Sequence, residues 1–119
     1  MLPPRINKNS GKAEKGRRSP AHRAWVRSHA CSACGSTTAI ECAHVRVGTD
    51  GGVGHKPSDW WCVSLCKECH SAQHQRGENT FWKKAKMNPL ELADAFYRAS
   101  PHKHKLTAHP DTPQSDCRL

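Results

Sequence analysis

The sequence predicts a small α+β domain in which a zinc-stabilised β-hairpin runs directly into a helix (a ββα core), with flanking helices and a disordered basic N-terminal arm. Three observations carry this prediction. Two Cys-x-x-Cys knuckles, Cys31/Cys34 and Cys66/Cys69, are separated by the 31 residues between Cys34 and Cys66, too long for a simple finger and long enough for a folded insert. Within that insert, residues 40–47 alternate in strand fashion, and Trp60 to Leu65 return as an apolar strand that leads straight into the second knuckle. Beyond Cys66, His70 and His74 stand four apart, one turn above the other on one helix face.

Composition explains why a metal is needed. With 119 residues and 35% hydrophobic content, the core is small, and small cores are commonly stapled by disulfides or metals. Seven cysteines permit either, but an odd count strands one thiol in a full disulfide set. The first residues lack the apolar block of a secretory signal, and no apolar run approaches a membrane span. The expected compartment is therefore the reducing cytoplasm, where paired Cys-x-x-Cys units favour metal over disulfide. Four thiolates suit a closed structural zinc site, whereas the two imidazoles of His70 and His74 leave coordination positions open for chemistry.

Taken in order, residues 1–18 hold almost no large apolar side chain and are expected to be disordered until bound. From Met1 to Arg23 there are seven Lys or Arg, including Arg17 and Arg18, against Glu14 alone, so this stretch carries +6 of the net +9. Such a cationic arm is an electrostatic footprint for nucleic acid, or a solvated tail that aids solubility. The folded domain is expected over residues 19–100. Ser19 caps a first helix with Pro20 at its first position, and the helix places Trp25 on the core beside the first knuckle and ends near Ser28. His22 and His29 are expected at the surface or in local hydrogen bonds. On the first strand Ile40, Cys42 and His44 share one face and Glu41, Ala43 and Val45 the other. The glycines and Pro57 between Arg46 and Asp59 mark a long loop. Cys42 and Cys62 are read as small buried thiols, not ligands. The helix carrying His70 and His74 opens near Cys66 or Lys67 and closes near Gly77. Glu78 to Thr80 punctuate before a short helix from Phe81 to Lys86. Asn88, Pro89 and Glu91 start a last helix that ends at Ser100 and Pro101. Residues 101–119 are expected to form a flexible tail.

The order Cys-x-x-Cys, Ala43-His44, a Gly-rich loop, Leu65-Cys-x-x-Cys-His70 and His74 resembles the zinc-stabilised HNH endonucleases. Ala43-His44-Val45-Arg46, Gly52 to Gly54, Lys56-Pro57-Ser58-Asp59 and Cys69-His70-x-x-x-His74-x-x-Gly77 are similar to the small phage- and prophage-borne members of that family. The resemblance covers about residues 19–100. It implies a metal-dependent DNA endonuclease in which His44 is the general base, a role suited to an imidazole of ordinary pKa near ~6.5. It also implies that His70 and His74 hold a catalytic divalent ion, Mg²⁺ or Mn²⁺, beside a structural zinc at Cys31, Cys34, Cys66 and Cys69. Two positions depart from the family pattern: Ala43 stands where many members carry an acidic or His ligand, and the middle Asn of the family name falls near Trp61. Asp59 is the candidate either to orient His44 or to complete the metal shell. Arg46 and Lys56, with Arg17 and Arg18, are candidate DNA contacts, although Arg46, Lys56 and the glycines also fit an ordinary hairpin loop. The implied partners are DNA and a phage or host recombination or replication protein, with no membrane. The second reading is a non-catalytic zinc module that binds DNA or a phage protein through the basic arm.

Overall fold

The computed structural model describes residues 3, 16–50 and 56–110. The expected disorder of the arm before Gly16, the glycine-rich tip at residues 51–55 and the end of the tail at 111–119 lie outside the described residues. The described chain is a small α+β body with four α-helices and one two-stranded sheet.

Local signals set most of the elements. Helix α1 spans Pro20–Arg27; Ser19 is extended, and its hydroxyl accepts from the His22 N–H. Strand β1 (Ile40–His44) pairs antiparallel with β2 (Cys62–Cys66), matching Ile40 to Cys66 and His44 to Cys62. Helix α2 (Lys67–Arg76) follows without a loop, because Cys66 ends the strand and caps the helix, its sulfur accepting from the Cys69 N–H. Gly77, at φ +88°, turns the chain into α3 (Glu78–Ala85), and Lys86 closes α3 in the left-handed region. Asn88 caps α4 (Pro89–Ala99) by accepting from the N–H groups of Leu90 and Glu91.

A two-stranded sheet is marginal alone, and here helices cover it. All five residues of β2 are buried, because α1, α2 and α4 all contact that strand. The main core joins Ala43, Val45, Val63 and Leu65 to Phe81, Trp82 and Ala93. Trp82 is buried and donates its indole N–H to the Gln73 side chain at 2.8 Å, so its one polar atom is satisfied. A second cluster gathers Trp60, Tyr97 and Leu106.

Several expectations need correction. The first strand stops at His44, and Asp59–Trp61 form a 3₁₀ turn instead of opening the second strand. That turn sends Trp60 into the second cluster. Helix α3 starts at Glu78 because its first turn includes Glu78 to Thr80, with the Glu78 carboxylate accepting from the N–H groups of Arg46 and Val47. Val26, not Trp25, is the fully buried apolar residue of α1. Trp25 is half-buried and meets His29 and Phe96 edge-on. The segment after Pro101 is held as far as His109: Leu106 is fully buried, and the His109 ring stacks on Tyr97 at 3.9 Å. Its return also brings the Ala108 N–H to the Gly16 carbonyl at 3.1 Å. A side chain on Gly16 would lie 2.7 Å from the Thr107 hydroxyl, so that approach requires glycine.

His22 is likewise not at the surface. It is fully buried, its Nδ1 lies 2.9 Å from the Ser100 hydroxyl, and its Nε2 has no hydrogen-bond partner among the described residues. Burial lowers its pKa to about 4; Asp59 opposes that shift, while His102 and Arg23 assist it. The sign follows from proton counting: the unfolded chain protonates His22 below about 6.5 and the folded chain only below about 4. Stability is therefore expected to fall as pH drops from about 6.5 to about 4. Urea midpoints measured across that range should decline in the wild type and decline less in His22→Gln.

Candidate metal cluster and histidine pocket

Two groups of metal-competent side chains converge among the described residues. In the first, the sulfurs of Cys31, Cys34, Cys66 and Cys69 all lie within 4.8 Å of one another. Cys31 and Cys34 come from the turn after α1, and Cys66 and Cys69 from the junction of β2 with α2. Backbone geometry aims the first pair: the Gly35 N–H donates to the Cys31 carbonyl at 2.9 Å, and Gly35 sits at φ +81°. Burial pushes the Cys31 thiol up, but N–H groups around it bring it down to about 7. Cys69 is pushed well up, by burial first and then by its three thiol neighbours. Four thiols so placed oppose one another's ionisation, and a dication is the species that makes four thiolates compatible. The cluster can hold a metal ion.

The second feature is an open pocket of about 280 Å³ lined by Cys42, His44, Arg46, Lys56, Pro57, His70 and His74. Strand β1 contributes Cys42 and His44, the loop contributes Arg46 and Lys56, and α2 contributes the other two histidines. Residues about 30 positions apart thus share one opening.

His44 and Asp59 are brought together, with His44 Nε2 2.9 Å from Asp59 Oδ1. Asp59 is fully buried and also accepts from the Ser19 N–H at 2.8 Å and from Arg23 at 2.5 Å. Burial alone would raise its carboxyl; the hydrogen bonds from His44 and Ser19 and the Arg23 charge outweigh it and hold the pKa at about 2. An ionised carboxylate only accepts, so His44 Nε2 must carry the proton and donate it. Neutral His44 then keeps its lone pair on Nδ1.

His70 and His74 lie together, with ring centroids 4.8 Å apart. Glu41 faces His70 across 2.7 Å, Oε1 to Nδ1. With Nδ1–H donating to Glu41, His70 keeps its lone pair on Nε2, the arrangement that a carboxylate imposes on a metal-ligating imidazole. Among the described residues, no further His, Cys, Asp or Glu converges with this pair to make a group of three. Sequence reasoning missed Glu41 because alternation assigned it to the strand face opposite His44. The helix that follows β2 packs against β1 and meets that side chain.

Arg17 and Arg18 do something other than reach outward. Arg17 donates to the Ser58 hydroxyl at 2.7 Å and to the Lys56 carbonyl at 2.9 Å. Arg18 donates to the carbonyls of Pro57 and Lys56 and lies 3.5 Å from Asp59. Together they clamp the segment that carries Lys56 and Asp59. Arg23, also missed, completes the support of Asp59; it follows Ser19 by one helical turn, so both reach the same carboxylate.

A protein family described as "Protein of unknown function (DUF968)" matches residues 9–100. Comparison with curated proteins and with solved structures gave no match. Among the described residues, no helix is long and apolar enough to cross a membrane.

Proposed function

We propose that this chain, which belongs to the DUF968 family, is a metal-dependent DNA endonuclease of the zinc-stabilised HNH type, with zinc on Cys31, Cys34, Cys66 and Cys69. The observation that carries the reading is the shared pocket: His44, hydrogen-bonded to buried Asp59, opens onto the same space as His70, His74, Arg46 and Lys56.

In this reading the cationic side chains of Arg46 and Lys56 draw a phosphodiester into the opening. His70 and His74 would hold a divalent cation, which when bound would supply stabilisation for the negative charge that develops in the reaction. Glu41 fixes the His70 tautomer for that purpose. His44 Nδ1 takes the proton of a water as its oxygen bonds to phosphorus and the bond from phosphorus to the leaving sugar oxygen breaks. The imidazolium so formed is stabilised by Asp59, which stays ionised because Ser19 and Arg23 hold it so.

Plasmid nicking with Mg²⁺, with Mn²⁺ and with neither tests the proposal. Nicking is expected with either ion and not in their absence. His70→Ala or His74→Ala should raise the metal concentration required by more than the ~10–100-fold that loss of an outer-shell partner costs. DNA binding with no nicking under any of these conditions would leave the non-catalytic zinc module as the function.

A further inference from the structure

We propose a second, inhibitory site for a thiophilic cation such as Zn²⁺ or Cd²⁺, formed by His44, Cys62 and Asp59 with Cys42 beside them. The donor atoms of His44, Asp59 and Cys62 all lie within 4.8 Å of one another, in a group separate from the four-cysteine cluster. Cys42 stands outside that group of three, but its thiol neighbours that of Cys62 and it lines the same opening as His44, which makes it the candidate fourth donor. One imidazole, two thiols and a carboxylate form a set that suits a tetrahedral, thiophilic ion over Mg²⁺. Cys42 is half-buried and the His44 side chain 14% exposed, so the pocket is an entry path to buried Cys62.

The surroundings make this site weaker than the first. Asp59 already pairs with Arg23 and lies near Arg18, two cations that repel an incoming ion. Burial pushes the Cys62 thiol well up, with Cys42 and the Asp59 charge adding to that effect. On binding, Cys42 and Cys62 each give up a proton to solvent and the His44 Nε2 proton moves to Nδ1, so that both sulfurs and Nε2 bond to the metal. The ion thus fills only above the concentration that saturates the four-cysteine cluster. With its Nε2 on the metal and its proton on Nδ1, His44 then has no lone pair left to accept a proton from water. That consequence rests on His44 being the base of the proposed nuclease; the metal site itself does not.

Cadmium titration of the full chain, followed by the sulfur-to-cadmium absorption band, tests it. The first equivalent should develop the band of four thiolates, and a second should add about half as much again from two more. Cys42→Ser and Cys62→Ser should each weaken that second increment, and Cys42, being half-buried, is the change less able to disturb folding. A second equivalent that binds without any thiolate band, as it would on His70 and His74, overturns the site, as does an undiminished second increment in Cys42→Ser. In the nicking assay, the second equivalent should lower the wild-type rate at least tenfold relative to the protein with one equivalent. If the band appears and nicking persists, the site stands and the role of His44 as base fails. If no second increment appears while His44→Ala abolishes nicking, the nuclease reading stands and this site fails.

Discussion

His44→Ala is expected to lower single-turnover nicking by roughly 10²–10⁴-fold, the usual worth of a general base. The variant should keep its zinc and most of its DNA affinity, because the four-cysteine cluster and the cations of the pocket rim do not depend on the imidazole. The informative companion is Asp59→Asn, not Asp59→Ala. Alanine would strip an acceptor from Ser19, Arg23 and His44 together and leave a partly buried, unbalanced arginine. Asparagine keeps an acceptor oxygen for Ser19 and Arg23 but turns its NH₂ towards His44, which must then accept on Nε2 and carry its proton on Nδ1, so its loss of rate should approach that of His44→Ala. Nicking by His44→Ala at the wild-type rate would move the base elsewhere in the pocket.

Cys31→Ser is expected to lose both the metal and the folded state. Zinc bound by four thiolates contributes on the order of 10–16 kcal/mol in small zinc domains, whereas the whole net stability of a domain is about 5–15 kcal/mol. Here the metal would tie the turn after α1 to the junction of β2 and α2. The variant should show zinc content near zero by elemental analysis and no cooperative thermal transition. Retention of the wild-type melting temperature in a zinc-free variant would show that packing alone holds the domain.

What was legible in the sequence was local. Ser19 with Pro20, Asn88 with Pro89, and the run of Cys66 into a helix mark helix starts through side chains acting on N–H groups two or three residues away, and those elements stand where expected. The cysteine knuckles were legible for the same reason, since a fixed spacing presets two sulfurs. The placement of Asp59 beside His44 was open between two roles, and the 2.9 Å contact brings the pair together. What could not be read depends on long-range packing. Arg17 and Arg18 look like any exposed cations until the loop carbonyls some 40 residues away are set against them. His22 finds Ser100 across 78 residues. Leu106 is one apolar residue in a polar stretch, with no periodicity to announce that it fills a gap between Trp60 and Tyr97.

The hydrogen bond from Ala108 to Gly16 has a topological consequence. The two edges of the body touch, so a short linker from residue 110 back to residue 16 would close this stretch into a ring. Fresh ends could then be opened at the exposed turn around Lys86, where α3 stops and α4 has not begun. Such a circular permutant keeps the Arg17 and Arg18 clamp, the four sulfurs and the three histidines within one unbroken packing unit. A fragment beginning at Ser19 would cut the clamp away from the loop it holds.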